Sequence, residues 1–276
     1  MDRREAMLRE LNLYPQWVLR NQPVPDAVEQ LAPKAGNPLS GEPNVELTPP
    51  IAADVSLGIP APTLVAATRE AAASGLPSVK PSRIVALDWP GLKQQVRDCT
   101  ACKLRAGCTQ TVFGVGDEKA DWLFVGEGPG ADEDALGEPF VGQAGKLLDN
   151  MLMAIKLKRG KNVYIANIVK CRPPGNRNPE ADEVATCLPY LERQIELIQP
   201  KLIVALGKVA SNALLGKDAT LASLRGKLHD YRGISLLVTY HPAYLLRTPS
   251  EKAKAWQDLL LAVRTMEDRN QIIPLS

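Results

Sequence analysis

The chain has 276 residues, 45% of them hydrophobic, which is sufficient for the packed core of one or two domains. It contains no run of about 18 apolar residues. Its charged N-terminus, MDRREAMLRELNLY, lacks the apolar segment of a signal peptide. We therefore predict no membrane span and no secretion, and we expect a cytoplasmic protein. The net charge of +2 is too small to indicate a nucleic-acid partner by itself.

The first third of the chain differs in composition from the rest. Residues 1–20 include a short amphipathic helical pattern, with Leu8 and Leu11 on its apolar face. Residues 21–82 are rich in proline and alanine and have little periodicity, which predicts a disordered linker. This arm could dock on the remaining domain, 83–276, or on another protein, or it could be a short helix without a dedicated partner.

Regular alternation of strand and helix patterns begins after the linker. Four nearly continuous apolar runs predict buried parallel strands at 121–127, 162–170, 201–207 and 234–242. Helical patterns follow them at 145–157, 181–199, 208–216 and 250–269. The alternation predicts an α/β fold, namely a three-layer sandwich with a central four-stranded parallel sheet, preceded by a disordered N-terminal arm.

The ends of the predicted strands carry the residues that could form a binding site. The glycine-rich loop 126–130, Asn167, Gly207 and His241 all follow apolar runs, so they should meet at one edge of the sheet, where ligands bind in such folds. The loop resembles a phosphate-binding turn. However, the segment 127–138 contains five carboxylates and no lysine or arginine, which disfavours a phosphate ligand and a nucleotide-binding enzyme.

The five cysteines form a second candidate site. An odd number in a chain without a secretion signal argues against a disulfide framework. Cys99 and Cys102 form a C-x2-C pair, and Cys171 and Cys187 are separated by fifteen residues. Four thiolates from two segments can bind zinc or a 4Fe-4S cluster, and the spacing leaves both open. Cys108 is close enough to compete as a ligand, and we treat it as a spare.

Several motifs in order resemble a known family. They are the C-x2-C pair, GEGPG after a strand, EPFVGQAGKLLD, YIANIVKCRPPGNRNP leading to a later cysteine, and HPAYLLR. In this combination the chain resembles the family 4 uracil-DNA glycosylases over about residues 85–265. The resemblance implies a monofunctional DNA repair enzyme that hydrolyses the N-glycosidic bond of uracil in DNA, and we expect a monomer. It also implies a 4Fe-4S cluster on Cys99, Cys102, Cys171 and Cys187. The alternative is a non-catalytic iron-sulfur protein of the same fold that binds damaged DNA.

The resemblance also assigns roles around the base. Gly126 and Gly128 would allow the backbone to approach uracil, and Phe140 would stack on its ring. Asn167 would read the base edge; an amide suits uracil, and an asparagine in a buried strand is otherwise unfavourable. His241 would stabilise the charge on the departing base.

The remaining assignments concern catalysis and DNA contacts. A different branch of the superfamily has an aspartate at the position of Gly128, so Glu127 becomes the first candidate for a catalytic carboxylate. Leu245 would enter the duplex as a wedge, a role that Leu246 could share. The expected DNA-backbone contacts are Arg247, Arg172 and Arg177.

Overall fold

The structure is a computed structural model that describes residues 84–272, with side chains through residue 269. The predicted helix at 1–20 and the linker at 21–82 lie outside the described residues. No helix within 84–272 is long and apolar enough to cross a membrane.

One six-stranded sheet forms the centre of the described domain. Its strands are β1 (Val115–Gly116), β2 (Trp122–Gly126), β3 (Val163–Asn167), β4 (Leu202–Leu206), β5 (Leu228–Tyr231) and β6 (Ile234–Thr239). They are arranged in the order β1-β3-β2-β4-β6-β5. The four central strands are parallel and correspond to the four predicted apolar runs. The strand count was incomplete, because β1 and β5 extend the sheet as antiparallel edges.

Strand β5 was missed because it lacks the pattern of a buried strand. Only its last residue, Tyr231, is buried. It pairs with β6 through a two-residue turn in which Arg232 and Gly233 have positive φ angles of 51° and 85°. This is the geometry that a tight hairpin requires. His229, expected on the surface or in a turn, lies half-buried on β5 and contacts the carbonyl oxygen of Leu224 at 2.8 Å.

Helices cover both faces of the sheet, as predicted. They are α1 (Trp89–Arg97), α2 (Ala131–Leu136), α3 (Gln143–Ala154), α4 (Ala181–Ile198), α5 (Lys208–Leu215), α6 (Leu221–Leu224), α7 (Pro242–Arg247) and α8 (Lys252–Ile272). Side chains alternate along each strand. Leu123 and Val125 pack with α1, α4 and α5, whereas Trp122 and Phe124 pack with α3 and α8. The three-layer sandwich is confirmed.

The carboxyl ends of the parallel strands meet at one edge. Gly126 pairs with Asn167 across β2 and β3, and Leu206 pairs with Thr239 across β4 and β6. Gly207 follows β4 so closely beside His241 that a Cβ on it would lie 3.0 Å from the histidine Cβ. The loops after these strands therefore surround a common space.

Candidate active site

A pocket of about 370 Å³ opens at this edge of the sheet. Its lining includes Glu127, Gly128, Phe140, Asn167 and His241, which are five of the residues expected in a base-binding site. Gly126 lies directly behind them. A Cβ at Gly126 would be 2.5 Å from both Asn167 Oδ1 and Phe140 Cζ, so only glycine fits there.

Asn167 contributes an unpaired polar atom to the pocket. Its side chain is 2% exposed, and Oδ1 has no hydrogen-bond partner among the described residues. A buried acceptor without a partner is unfavourable, and in native proteins such an atom needs an explanation. A ligand that presents an N–H group to Oδ1 would satisfy it.

Phe140 forms an aromatic wall of the same pocket. It is 5% exposed and lies beside His241, with 5.5 Å between the ring centroids and an interplanar angle of 32°. Its φ angle of 55° lies in the left-handed region, which bulky residues rarely adopt. The surrounding residues must therefore hold this backbone in place.

The surroundings of His241 indicate which ring nitrogen carries a proton and whether the ring is charged. His241 caps the N-terminus of α7, and its Nδ1 accepts a hydrogen bond from the main-chain N–H of Ala243 at 3.2 Å. In the neutral ring the proton is therefore on Nε2. Burial, and to a smaller extent the charge of Arg247, lower the pKa of His241 to about 4 against the opposing charge of Glu133. The ring is thus a neutral donor at physiological pH.

The carboxylates of the glycine loop and helix α2 lie in different environments. Glu133 accepts hydrogen bonds from the main-chain N–H groups of Gly130, Val141 and Gly142. Asp134 is buried and accepts from the N–H groups of Thr109 and Gln110. These two acids stabilise the loops. Glu127 lines the pocket instead, and burial raises the pKa of its carboxyl group.

Leu245, the predicted wedge, lies in the core and not at the rim of the pocket. Leu245 is only 1% exposed, because it packs between α3 and α8 with Leu147, Met151 and Leu259. A side chain in that position cannot enter a duplex without leaving the core. Its neighbour Leu246 is 44% exposed.

The three arginines expected at DNA lie in different environments. Arg247 is exposed and lines the pocket. Arg172 donates from Nε to Asn176 Oδ1 at 2.7 Å. Arg177 also lines the pocket, but both of its terminal nitrogens donate to Glu183, at 2.8 and 2.7 Å, and this contact lowers the pKa of Glu183 to about 2. Arg177 is therefore held by an internal ion pair and is a weaker candidate for a phosphate contact.

The cysteines expected to bind metal converge at a second, apolar cavity. Cys99, Cys102, Cys171 and Cys187 all line it. Tyr190 Oη donates to Cys99 Sγ at 3.3 Å, and the main-chain N–H of Lys170 donates to Cys187 Sγ at 3.2 Å. Hydrogen bonds to sulfur are typical of iron-sulfur sites. Cys108 does not line the cavity, although its thiol contacts that of Cys171.

Burial favours the protonated form of three of the cysteine thiols in this cavity. In the free thiol state, burial raises the pKa of Cys187 to about 12, and burial also raises the pKa values of Cys102 and Cys171. Within residues 84–269, no three His, Cys, Asp or Glu side chains converge closely enough to bind a single ion.

A buried lysine connects the two sites. Lys170 is 1% exposed, and its Nζ donates to the main-chain oxygen of Asn167 at 2.9 Å and to Gln194 Oε1 at 2.7 Å. Burial lowers its pKa to about 8, and the charge of Cys187 opposes this shift. Sequence reasoning missed Lys170. A lysine at the end of a buried apolar strand was the available signal.

The fold and the pocket define an α/β sandwich with an aromatic ring and a buried amide in a pocket at the carboxyl edge of its parallel strands. Comparisons with known proteins identify the family of this sandwich. The sequence model of the Uracil DNA glycosylase superfamily matches residues 113–260. The chain belongs to this superfamily, and within it to the type-4 family.

Three type-4 uracil-DNA glycosylases illustrate the similarity. The protein of Archaeoglobus fulgidus is 44% identical over 164 residues, which are 56% of this chain and 82% of that protein. The protein of Pyrobaculum aerophilum is 40% identical over 63% of this chain and 93% of its own length. The protein of Thermotoga maritima is 44% identical over 59% of this chain and 85% of its own length.

Proposed function

We propose that this protein excises uracil from DNA by hydrolysing the N-glycosidic bond and leaving an abasic site. The observation that carries the proposal is the buried, unpaired Oδ1 of Asn167 in a pocket walled by Phe140. Uracil presents an N3–H donor beside the O4 acceptor, and an asparagine amide complements both. Cytosine presents an unprotonated N3 beside an amino group, which is the opposite pattern.

The pocket can be reached only by a base that has left the duplex. Enzymes that act on a base rotate it into an active-site pocket, stack it on an aromatic side chain and read its Watson-Crick edge. Here Phe140 would supply the stacking surface, and Gly126 and Gly128 would allow the main chain to approach. A Cβ at Gly128 would lie 2.8 Å from Val169 Cγ2, so a side chain there would require the valine to shift.

Bond cleavage leaves negative charge on the base. The neutral His241 would donate from Nε2 to uracil O2, and preorganised donors of this kind stabilise such a charge. Glu127 is the proposed carboxylate that orients the attacking water, because its raised pKa makes it a stronger base than an exposed glutamate. The described pocket lining contains no lysine that could form a Schiff base, so we propose no strand cleavage.

The four cysteines fit a 4Fe-4S cluster, and we propose that they bind one. The cluster would supply a covalent connection between the segment carrying Cys99 and Cys102 and the segment carrying Cys171 and Cys187. The protein already joins these segments by ion pairs, since Lys103 contacts Glu180 and Glu183. A structural role is therefore proposed. Cysteines that bind a cluster, rather than pair as disulfides, would also agree with a cytoplasmic enzyme.

The direct test uses the purified full-length chain and an oligonucleotide with a single uracil. After incubation and alkaline treatment, we expect strand scission at the uracil position and none when thymine replaces it. Release of free uracil without alkali would establish base excision. Binding of the oligonucleotide without excision would instead indicate the non-catalytic DNA-binding alternative.

The depressed pKa of His241 predicts an unusual pH profile. In Glu127→Gln, which removes titration of the pocket carboxylate, the single-turnover rate should remain constant from neutral pH to about pH 5 and then fall about tenfold per pH unit below the folded His241 pKa of about 4. Protonation of Nδ1 would break its bond to Ala243. As pH falls, His241 takes up a proton in the unfolded chain at a higher pH than in the folded protein. The free energy of unfolding should therefore decline as pH falls from 6.5 toward 4. A rate that falls near pH 6.5 would contradict the neutral buried ring.

Leu246, rather than Leu245, is the proposed wedge. Leu246→Ala should reduce excision from double-stranded DNA about tenfold and leave excision from single-stranded DNA unchanged, because only a duplex must be unstacked. Met153 is also exposed but lies on α3, so Met153→Ala serves as the control. Equal losses on both substrates would assign Leu246 to the pocket instead.

A further inference from the structure

We propose that Arg159 is a positioning residue that holds Phe140 in the orientation needed to stack on the base. The proposal rests on the proposed uracil excision, but the contacts that support it do not. Arg159 follows α3 and does not line the pocket. Its Nη1 donates to the main-chain oxygen of Pro139 at 2.8 Å, and its Nη2 donates to that of Phe140 at 2.7 Å. One guanidinium therefore binds two successive carbonyl groups.

These carbonyls belong to a backbone that needs external support. Phe140 combines a φ angle of 55° with a side chain that is 5% exposed. An aromatic residue favours negative φ angles. With a negative φ angle at Phe140, its ring would point in a different direction from the one observed. Left-handed backbone at a bulky residue persists only when its surroundings determine it. The planar guanidinium of Arg159 presents several N–H donors in a fixed arrangement, which suits it to binding two carbonyl groups.

The opposite side of the same loop is held by a group of opposite charge. Glu133 Oε1 accepts from the N–H groups of Val141 and Gly142 at 2.9 and 3.1 Å. Thus a cation binds the carbonyl oxygens before the turn, and an anion binds the amide hydrogens after it. Gly145 completes the enclosure, since a Cβ there would lie 1.8 Å from the Phe140 carbonyl oxygen. The loop is fixed from three directions.

Arg159 is itself anchored. Its Nε donates to Asp149 Oδ1 on α3 at 3.0 Å, and the side chain is 22% exposed. The guanidinium therefore joins the rigid helix α3 to the Phe140 loop. If Arg159 had only a structural role, it would stabilise the end of α3. Only a positioning role predicts that loss of Arg159 disturbs the stacking of Phe140 on the base.

A matched control lies elsewhere in the described domain. Arg269 on α8 also binds a main-chain carbonyl, donating to Lys201 O at 3.0 Å, and it donates to Ser235 Oγ at 2.9 Å. These contacts lie at the opposite edge of the sheet, at the beginnings of β4 and β6. Arg269→Met therefore removes equivalent chemistry away from the pocket.

The experiment compares full-length wild type, Arg159→Met, Arg159→Lys, Arg269→Met, Phe140→Ala and the double variant Arg159→Met/Phe140→Ala. Single-turnover excision should fall about 10- to 100-fold in Arg159→Met, because small misplacements near the reacting groups have effects of this size. Arg159→Lys should recover part of the loss, and millimolar guanidinium should partly rescue Arg159→Met. Arg269→Met should excise uracil at the wild-type rate.

The double variant separates positioning from general destabilisation. If Arg159 acts through Phe140, the double variant should be no slower than Phe140→Ala alone. Multiplicative losses would overturn the proposal, as would equal losses in Arg159→Met and Arg269→Met.

Hydrogen exchange provides a readout that needs no activity. Amides of the segment 138–146 should exchange faster in Arg159→Met than in Arg269→Met. If wild type excises no uracil but this difference appears, the proposed function fails and the loop contact remains. If exchange is unchanged in Arg159→Met, the positioning role is refuted whatever the activity.

Discussion

Asn167→Leu is expected to reduce single-turnover uracil excision about 100-fold and to leave the free energy of unfolding unchanged or higher. Leucine has a similar size but cannot accept from N3–H or donate to O4. Two lost hydrogen bonds of about 1.5 kcal/mol each correspond to about a hundredfold in rate. In the free protein, Oδ1 has no partner within the described residues, so its removal should cost no stability.

Tyr231 offers a matched control for this prediction. Its hydroxyl is the other buried side-chain atom without a partner in the described residues, and it lies on β5 at the far edge of the sheet from β3. Tyr231→Phe should likewise maintain or raise stability, but without affecting excision. Urea titration and single-turnover kinetics measure the two quantities. If Asn167→Leu loses stability and retains activity, the amide is a structural group and does not read the base.

The central fold could be predicted because buried parallel strands leave a clear pattern. Runs such as WLFVG and LIVAL are apolar throughout, and each strand is followed by a helix. Strand ends then follow from topology, which is why Asn167 and His241 could be expected at one edge. The order of the motifs along the chain also predicted the family. None of these inferences required knowledge of side-chain directions.

The structure adds information that the sequence lacked where side-chain direction or pairing decides the environment of a residue. Leu245 and Leu246 are adjacent in α7, so their side chains point about 100° apart, and only packing against α3 and α8 determines which one is buried. Arg177 is a surface cation by sequence, but Glu183, six residues later, lies within reach of its guanidinium. Arg159 is nineteen residues from Phe140, and no sequence pattern links them.

The second large effect concerns the cysteine cavity. Cys187→Ser is expected to abolish iron binding and to reduce the free energy of unfolding by more than about 4 kcal/mol, a size reached by loss of a metal site. Cys108→Ser should retain iron, because Cys108 does not line the cavity. Iron and sulfide content, visible absorption and urea titration of the full-length variants test both expectations. Iron retained in Cys187→Ser, or lost in Cys108→Ser, would change the assigned ligand set.

Loss of the cysteine site should also alter the pocket that contains Asn167. The main-chain N–H of Lys170 contacts Cys187 Sγ, and its ammonium group binds the carbonyl oxygen of Asn167. Within the described residues this ammonium makes no ion pair with a carboxylate, so the thiolates of a bound cluster would be its nearest source of negative charge. Without them the buried cation is unfavourable, and the turn from 167 to 170 should relax. Inhibition by free uracil should therefore weaken in Cys187→Ser at urea concentrations where the domain is still folded, and remain unchanged in Cys108→Ser.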